Sequence, residues 1–179
     1  MSLLERRLAD RAVRWQVRNA SVGGETTAGG RTRLPALLEE FQPDLVILEL
    51  GGNDGLRGLS LRAMRGNLEA MLDAAESAGA EVLLAGIEIP PNYGPLYTDR
   101  FRAVFADLAV ERSLAFVPFL LEGIALEPEM MLDDGIHPSA AAQPRILENI
   151  WSTLEPMLHR IEQRGLRAAE ERGTGPHGG

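Results

Sequence analysis

Leu45-Val46-Ile47-Leu48-Glu49-Leu50-Gly51-Gly52-Asn53-Asp54-Gly55 is the stretch on which the fold turns. A nearly unbroken apolar run that stops at paired glycines predicts a strand covered by helices on both faces and ending in a loop. Val82-Leu83-Leu84-Ala85-Gly86-Ile87 repeats the apolar run, and Leu114 to Phe119 supplies a third strand. Helical patterns, Ser60 to Ser77 and Thr98 to Arg112, separate them. Strands alternating with helices predict a doubly wound parallel α/β sheet. In such sheets ligands bind beyond the carboxyl ends of the strands. That rule selects four loops: the one at Gly23-Gly24, the one at Gly51-Gly52-Asn53, Pro90 to Pro95, and the one that ends at His137.

Toward the amino end, Leu3, Leu4 and Leu8 recur at helical spacing. Val13, Trp15 and Val17 alternate with Arg14, Gln16 and Arg18, the period-two signature of a strand with one wetter face. Gly23 to Thr27 reads as a loop leading to a helix through Thr32 to Phe41, with Pro35 a kink or the helix start, and Pro43 as its end. Toward the carboxyl end, Pro90-Pro91-Asn92-Tyr93-Gly94-Pro95 reads as irregular. A last helix is expected from near Ser139 to at least Glu162, with Pro144 and Pro156 as kinks or breaks. The expected organisation is one domain over residues 1–163. A charged, flexible tail follows over 164–179, where apolar content is too low to pack.

Composition narrows the chemistry. A net charge of −8, with arginines interleaved among acids, argues against a nucleic-acid partner. All eighteen basic residues are arginine, and there is no cysteine, so disulfides, thiolate nucleophiles and Cys-ligated metals are excluded. No stretch reaches membrane-span length, and Met1 to Arg11 has no apolar leader core. As written the chain reads as cytoplasmic; a periplasmic or secreted location would need a signal upstream.

Three histidines occur, and two read as solvated: His159 on the charged last helix and His177 in the tail. His137 differs, because Asp134 precedes it by three residues. That spacing can bring a carboxylate to one imidazole nitrogen, fixing the tautomer while the other nitrogen takes a proton. A turn and helix cap before the last helix would give the same Asp-x-x-His pattern. Asn53, after two glycines and a buried strand, fits a tight turn equally well as an amide that donates to a developing oxyanion. Gly24 has the same two readings, flexible loop or backbone donor.

These residues together resemble a known family. Asn19-Ala20-Ser21-Val22-Gly23-Gly24-Glu25-Thr26, Glu49 to Gly58, Pro91-Asn92-Tyr93-Gly94 and Asp133-Asp134-Gly135-Ile136-His137-Pro138 resemble the SGNH (GDSL) hydrolases, within them the multifunctional bacterial thioesterase and lysophospholipase type, over roughly residues 3 to 158. The resemblance implies a flavodoxin-like sheet and hydrolysis of acyl esters and thioesters by a Ser-His-Asp mechanism. Asp134 and His137 would be catalytic, Gly24 and Asn53 the oxyanion hole, and Asn92 and Tyr93 substrate contacts. It implies no cofactor and no metal; the expected partner is a small-molecule acyl ester or thioester, and the oligomeric state is open. In the family the serine belongs to a Gly-Asp-Ser block after the first strand, and no Gly-Asp-Ser occurs here. The expectation is therefore a sheet lacking its first strand and a site without its nucleophile. Two alternatives stay open: a noncatalytic remnant that binds acyl ligands or a partner, and a carbohydrate acetyl esterase of the same superfamily.

Overall fold

The computed structural model describes residues 2–173. Its elements in chain order are α1 (Leu3–Leu8), α2 (Thr27–Phe41), β1 (Leu45–Leu48), α3 (Gly52–Leu56), α4 (Leu61–Ser77), β2 (Glu81–Ala85), α5 (Pro95–Glu111), β3 (Ala115–Val117) and α6 (Gln143–Gly173). Short 3-10 turns lie at Pro91–Tyr93, Pro128–Met130 and Ala140–Ala142. The three strands form one parallel sheet in the order β1-β2-β3, with Leu48 opposite Leu84 and Ala85 opposite Val117.

Alternation along β2 divides the core. Val82 and Leu84 face a cluster built from Met64, Leu68 and Leu72 of α4 with Phe101, Phe105 and Leu108 of α5. Leu83 and Ala85 face the opposite cluster, where Ile150, Trp151, Leu154 and Leu158 of α6 meet Leu8 of α1. A strand covered on both faces has no wet side, which is why its sequence is continuously apolar. The expected α/β layering with a parallel sheet is the observed one.

Several boundaries differ from the expectation, each for a physical reason. Residues 14–20 form no strand, although Trp15 and Val17 turn inward onto the α6 cluster and Arg14, Gln16 and Arg18 outward. Period two reports which side chains are buried, while a strand also needs a neighbour for its amides. Among the described residues β1 pairs only with β2, and its Ile47 stays 38% exposed. Helix α2 starts at Thr27, ahead of the expected position, with Pro35 inside it. Pro95 opens α5 at its first turn, where a missing N–H costs nothing, so that helix also begins early. Part of Pro90 to Pro95 is regular after all, as the 3-10 turn Pro91–Tyr93. Helix α6 continues through Gly173, past the point where a tail was expected; Arg164 reaches Glu81 at 2.7 Å, while Leu166 remains 55% exposed. Residues 174–179, with His177, lie outside the described residues.

Side chains hold the extended amino-terminal segment in place of a ladder. Glu162 of α6 accepts two hydrogen bonds from the Arg11 guanidinium, at 2.6 and 2.8 Å, and one from the Trp15 indole at 2.8 Å. Those bonds, Arg11 first, hold its carboxyl down at about 2. A depressed value means the stabilisation is present above the ordinary carboxylate range and is lost as pH falls toward 2. Glu162→Ala strands a largely enclosed guanidinium and an indole N–H, a loss of about 2 kcal/mol by the usual strength of charge-assisted bonds. For a domain of this size Tm should fall by roughly 4–8 °C. Thermal unfolding followed by tryptophan fluorescence reads it, and an unchanged Tm would show that the segment is held by packing alone.

Candidate active site

The end of β1 is shaped by glycine. Gly51 has φ 126°, and a Cβ there would stand 3.1 Å from Phe105 and 3.2 Å from Met64, so only glycine lets the backbone turn against α4 and α5. The chain then enters α3, which places Asn53 in the first turn of a short helix in place of the tight turn that the composition suggested. Gly24, at φ 75°, sits in the turn closed by Glu25 N–H donating to the Val22 carbonyl at 3.3 Å.

Two ties join these loops. The Arg57 guanidinium donates to the Gly24 carbonyl at 3.0 Å. The Asp54 carboxylate accepts from the Thr27 amide at 2.8 Å and the Thr27 hydroxyl at 2.6 Å. Gly24 and Asn53 thus belong to neighbouring segments fastened to one another. Neither Thr27 nor Arg57 was singled out from the sequence, because the signal is a contact between residues 27 and 33 positions apart.

Asp134 and His137 form a self-contained unit. Asp134 Oδ1 accepts from the backbone amides of Ile136 and His137, both at 2.9 Å, and Oδ2 meets His137 Nδ1 at 2.7 Å. Leu132 N–H donates to the His137 carbonyl at 2.8 Å, and Met131 and Pro138 form an antiparallel bridge that closes the loop. The His137 bonds come first among the causes that hold the Asp134 carboxyl at about 2. It therefore stays ionised through the neutral and mildly acidic range, and the arrangement is lost only as pH falls toward 2. With Nδ1 donating to the carboxylate, the lone pair of the neutral ring lies on Nε2. The ring is open to water, its side chain 69% exposed.

Parallel strands send the loops after β1, β2 and β3 to one edge of the sheet, and Gly51 to Asn53, Pro90 to Gly94 and Pro118 to His137 all emerge there. Among the described residues His137 makes no hydrogen bond to Gly24 or Asn53; strand direction, not contact, gives His137 and Asn53 a common edge, and Gly24 is tied to the Asn53 segment through Arg57 and through Thr27 with Asp54. Tyr93 joins that edge directly, its hydroxyl donating to the Leu56 carbonyl at 2.8 Å, and Tyr97 donates to Gly55 at 3.3 Å. Tyr93, Leu96, Tyr97 and Arg100 line an open depression of about 390 Å³. Asn92 beside it is exposed.

None of the seven serines hydrogen-bonds His137 among the described residues. Ser2 and Ser60 cap α1 and α4, and Ser139, two residues beyond His137, donates instead to the Glu129 carbonyl at 3.2 Å. No group of three or more His, Asp or Glu side chains among the described residues could hold a metal ion, and no helix there is long and apolar enough to cross a membrane.

Comparison with known proteins gives a consistent result. A model of the GDSL-like Lipase/Acylhydrolase family matches residues 1–144. The chain is 52% identical over 158 residues to Esterase TesA of Pseudomonas aeruginosa, covering 88% of this chain and 79% of that protein. It is 43% identical over 150 residues to Thioesterase 1/protease 1/lysophospholipase L1 of Escherichia coli, covering 82% of this chain and 72% of that one. A crystal structure of TesA superposes with a TM-score of 0.83 at 53% identity, over 87% of this chain and 86% of the other.

Proposed function

Since this chain belongs to the GDSL-like lipase/acylhydrolase family, we propose that it hydrolyses acyl esters and thioesters with His137 as the base. The observation that carries the reading is the Asp134 carboxylate gripping both the Nδ1 and the backbone amide of His137. A grip at two points fixes ring position and tautomer together. The names of the relatives, an esterase and a thioesterase, support the substrate class.

In the proposed reaction His137 Nε2 takes the proton of an attacking hydroxyl as its oxygen bonds to the acyl carbonyl carbon. Negative charge moves to the carbonyl oxygen, where the Gly24 amide and the Asn53 side chain donate to it. The imidazolium, steadied by Asp134, returns the proton to the departing alcohol or thiol. Water then repeats the cycle on the acyl intermediate. Among the described residues no serine hydrogen-bonds His137, and the proposal assigns the attacking hydroxyl to none of them. The depression beside Tyr93, with Asn92 at its rim, would take the acyl chain.

Hydrolysis of p-nitrophenyl butyrate tests the proposal. Asn53→Ala should lower kcat by about a hundred- to a thousandfold, the usual effect of losing one oxyanion donor. A second reading, an acyl-binding protein without turnover, is favoured by the engagement of Ser2, Ser60 and Ser139 elsewhere. No turnover together with saturable binding of the butyrate ester would replace the first reading by the second.

A further inference from the structure

Thr27, fully buried, and Asp54, 3% exposed, are the buried polar side chains among the described residues, and the chemistry above uses neither. Each is fully engaged: Asp54 binds the Thr27 amide and hydroxyl, and the Thr27 hydroxyl in turn accepts from Asn67 Nδ2 at 3.1 Å. Their place in the chain gives this chain of bonds its meaning. Asp54 follows Asn53 directly on α3, and Thr27 opens α2 three residues after Gly24. The two donors proposed for the oxyanion are therefore separated, through the fold, by little more than this pair. The other tie, Arg57 to Gly24, is exposed and competes with water, so the buried tie is the stiffer one.

We propose that Asp54 is a positioning residue that, through Thr27, holds the Gly24 amide in register with the Asn53 side chain. The proposal rests on reading Gly24 and Asn53 as the oxyanion donors. Asp54→Asn keeps volume but removes the charge, and with its oxygen on the Thr27 amide it turns an NH2 toward the Thr27 hydroxyl, which loses its acceptor, loosening the start of α2. Thr27→Val keeps the amide bond and removes the hydroxyl; Thr27→Ser keeps both.

Amide hydrogen exchange and ¹⁵N relaxation on the full chain decide it. In Asp54→Asn the amides of Glu25 and Gly30 should exchange about ten- to a hundredfold faster, the effect of one lost buried hydrogen bond expressed as local opening. Gly24 should lose order on the nanosecond scale, while Val82 to Ala85 in β2 stay within about twofold of the parent. Thr27→Val should move the same amides in the same direction, Thr27→Ser should restore the parent pattern, and Arg57→Met should change them less than about threefold. Unchanged exchange at Glu25 and Gly30, or acceleration that is equal in β2, overturns the proposal. Should Asp54→Asn fail to fold, Thr27→Val against Thr27→Ser decides by the same criteria. Asn53→Ala separates this claim from its premise. Lost hydrolysis in Asn53→Ala with unmoved exchange in Asp54→Asn rejects the clasp and keeps the oxyanion reading. Local mobility in Asp54→Asn with full activity in Asn53→Ala leaves Asp54 merely structural and overturns the proposal as well.

Discussion

His137→Ala should lower the hydrolysis of p-nitrophenyl butyrate by about a thousandfold or more, the upper part of the range for losing a positioned base. The expectation is high because the side chain has no structural duty that would confuse the result. Its ring is 69% exposed and touches Asp134 alone among the described polar groups, so removal should leave Tm nearly unchanged. Asp134→Asn is the informative companion. It can still accept from the Ile136 and His137 amides, keeping the loop closed, yet its amide group would meet Nδ1 as a donor and impose the wrong tautomer. The loss there should approach that of His137→Ala without exceeding it. Because the Asp134 carboxyl lies at about 2, any fall in rate between pH 7 and pH 4 must come from another group. His159→Ala, a ring 60% exposed on α6, is the control that should change nothing. Residual activity in His137→Ala within about tenfold of the parent would remove His137 from the mechanism.

The pair that this experiment addresses was visible in the sequence for a local reason: the ring lies three positions after the carboxylate, and the turn that joins them needs little else. Strand β2 was legible for a similar reason, since coverage by helices on both faces leaves an unbroken apolar run; β1 carries the same apolar run although its Ile47 stays exposed. Trp15 and Val17 mark the limit of such patterns. Their alternation announced burial, which occurs, and not pairing, which depends on whether another strand lies alongside. The start of α2 was hidden because the amide that would otherwise be left unsatisfied at Thr27 is bonded to Asp54, a residue in a different loop. Asn53 sits on a helix of five residues, too short for any periodicity to reveal. Tyr97 and Arg57 escaped for the reason that Thr27 did: each acts through a contact with a backbone carbonyl more than thirty positions away.

Gly86→Ala should be among the most damaging single substitutions in the chain, and it tests how the site edge is built. Gly86 follows the last residue of β2, donates to the Val117 carbonyl at 2.7 Å and accepts from Leu120 N–H at 3.4 Å. A Cβ there would stand 2.1 Å from the Pro118 carbonyl oxygen and 2.9 Å from its carbon. Both are backbone atoms, so no side-chain rotation relieves the clash; β2 and β3 must part at their carboxyl ends. Overpacking of this kind costs about 1–3 kcal/mol and sometimes more, and the two hydrogen bonds add about 1 kcal/mol each. A total of about 3–5 kcal/mol is a large share of the stability of any domain, and it predicts a Tm lower by roughly 6–20 °C. Gly66→Ala, within α4 and with open space around its Cβ, should raise Tm slightly, since alanine favours a helix by about 0.5–1 kcal/mol over glycine. Opposite signs from one chemical change would show that the Pro118 contact, and not the loss of glycine, is responsible. Pro118 also begins the loop that ends at His137, so parting the strands displaces His137 from the edge it shares with Asn53. Hydrolysis by Gly86→Ala should therefore fall further, at temperatures where it remains folded, than its stability alone would require. A Tm within about 2 °C of the parent would mean that this junction gives way at little cost, and with it would go the case that close packing of β2 against the Pro118 backbone sets the position of the His137 loop.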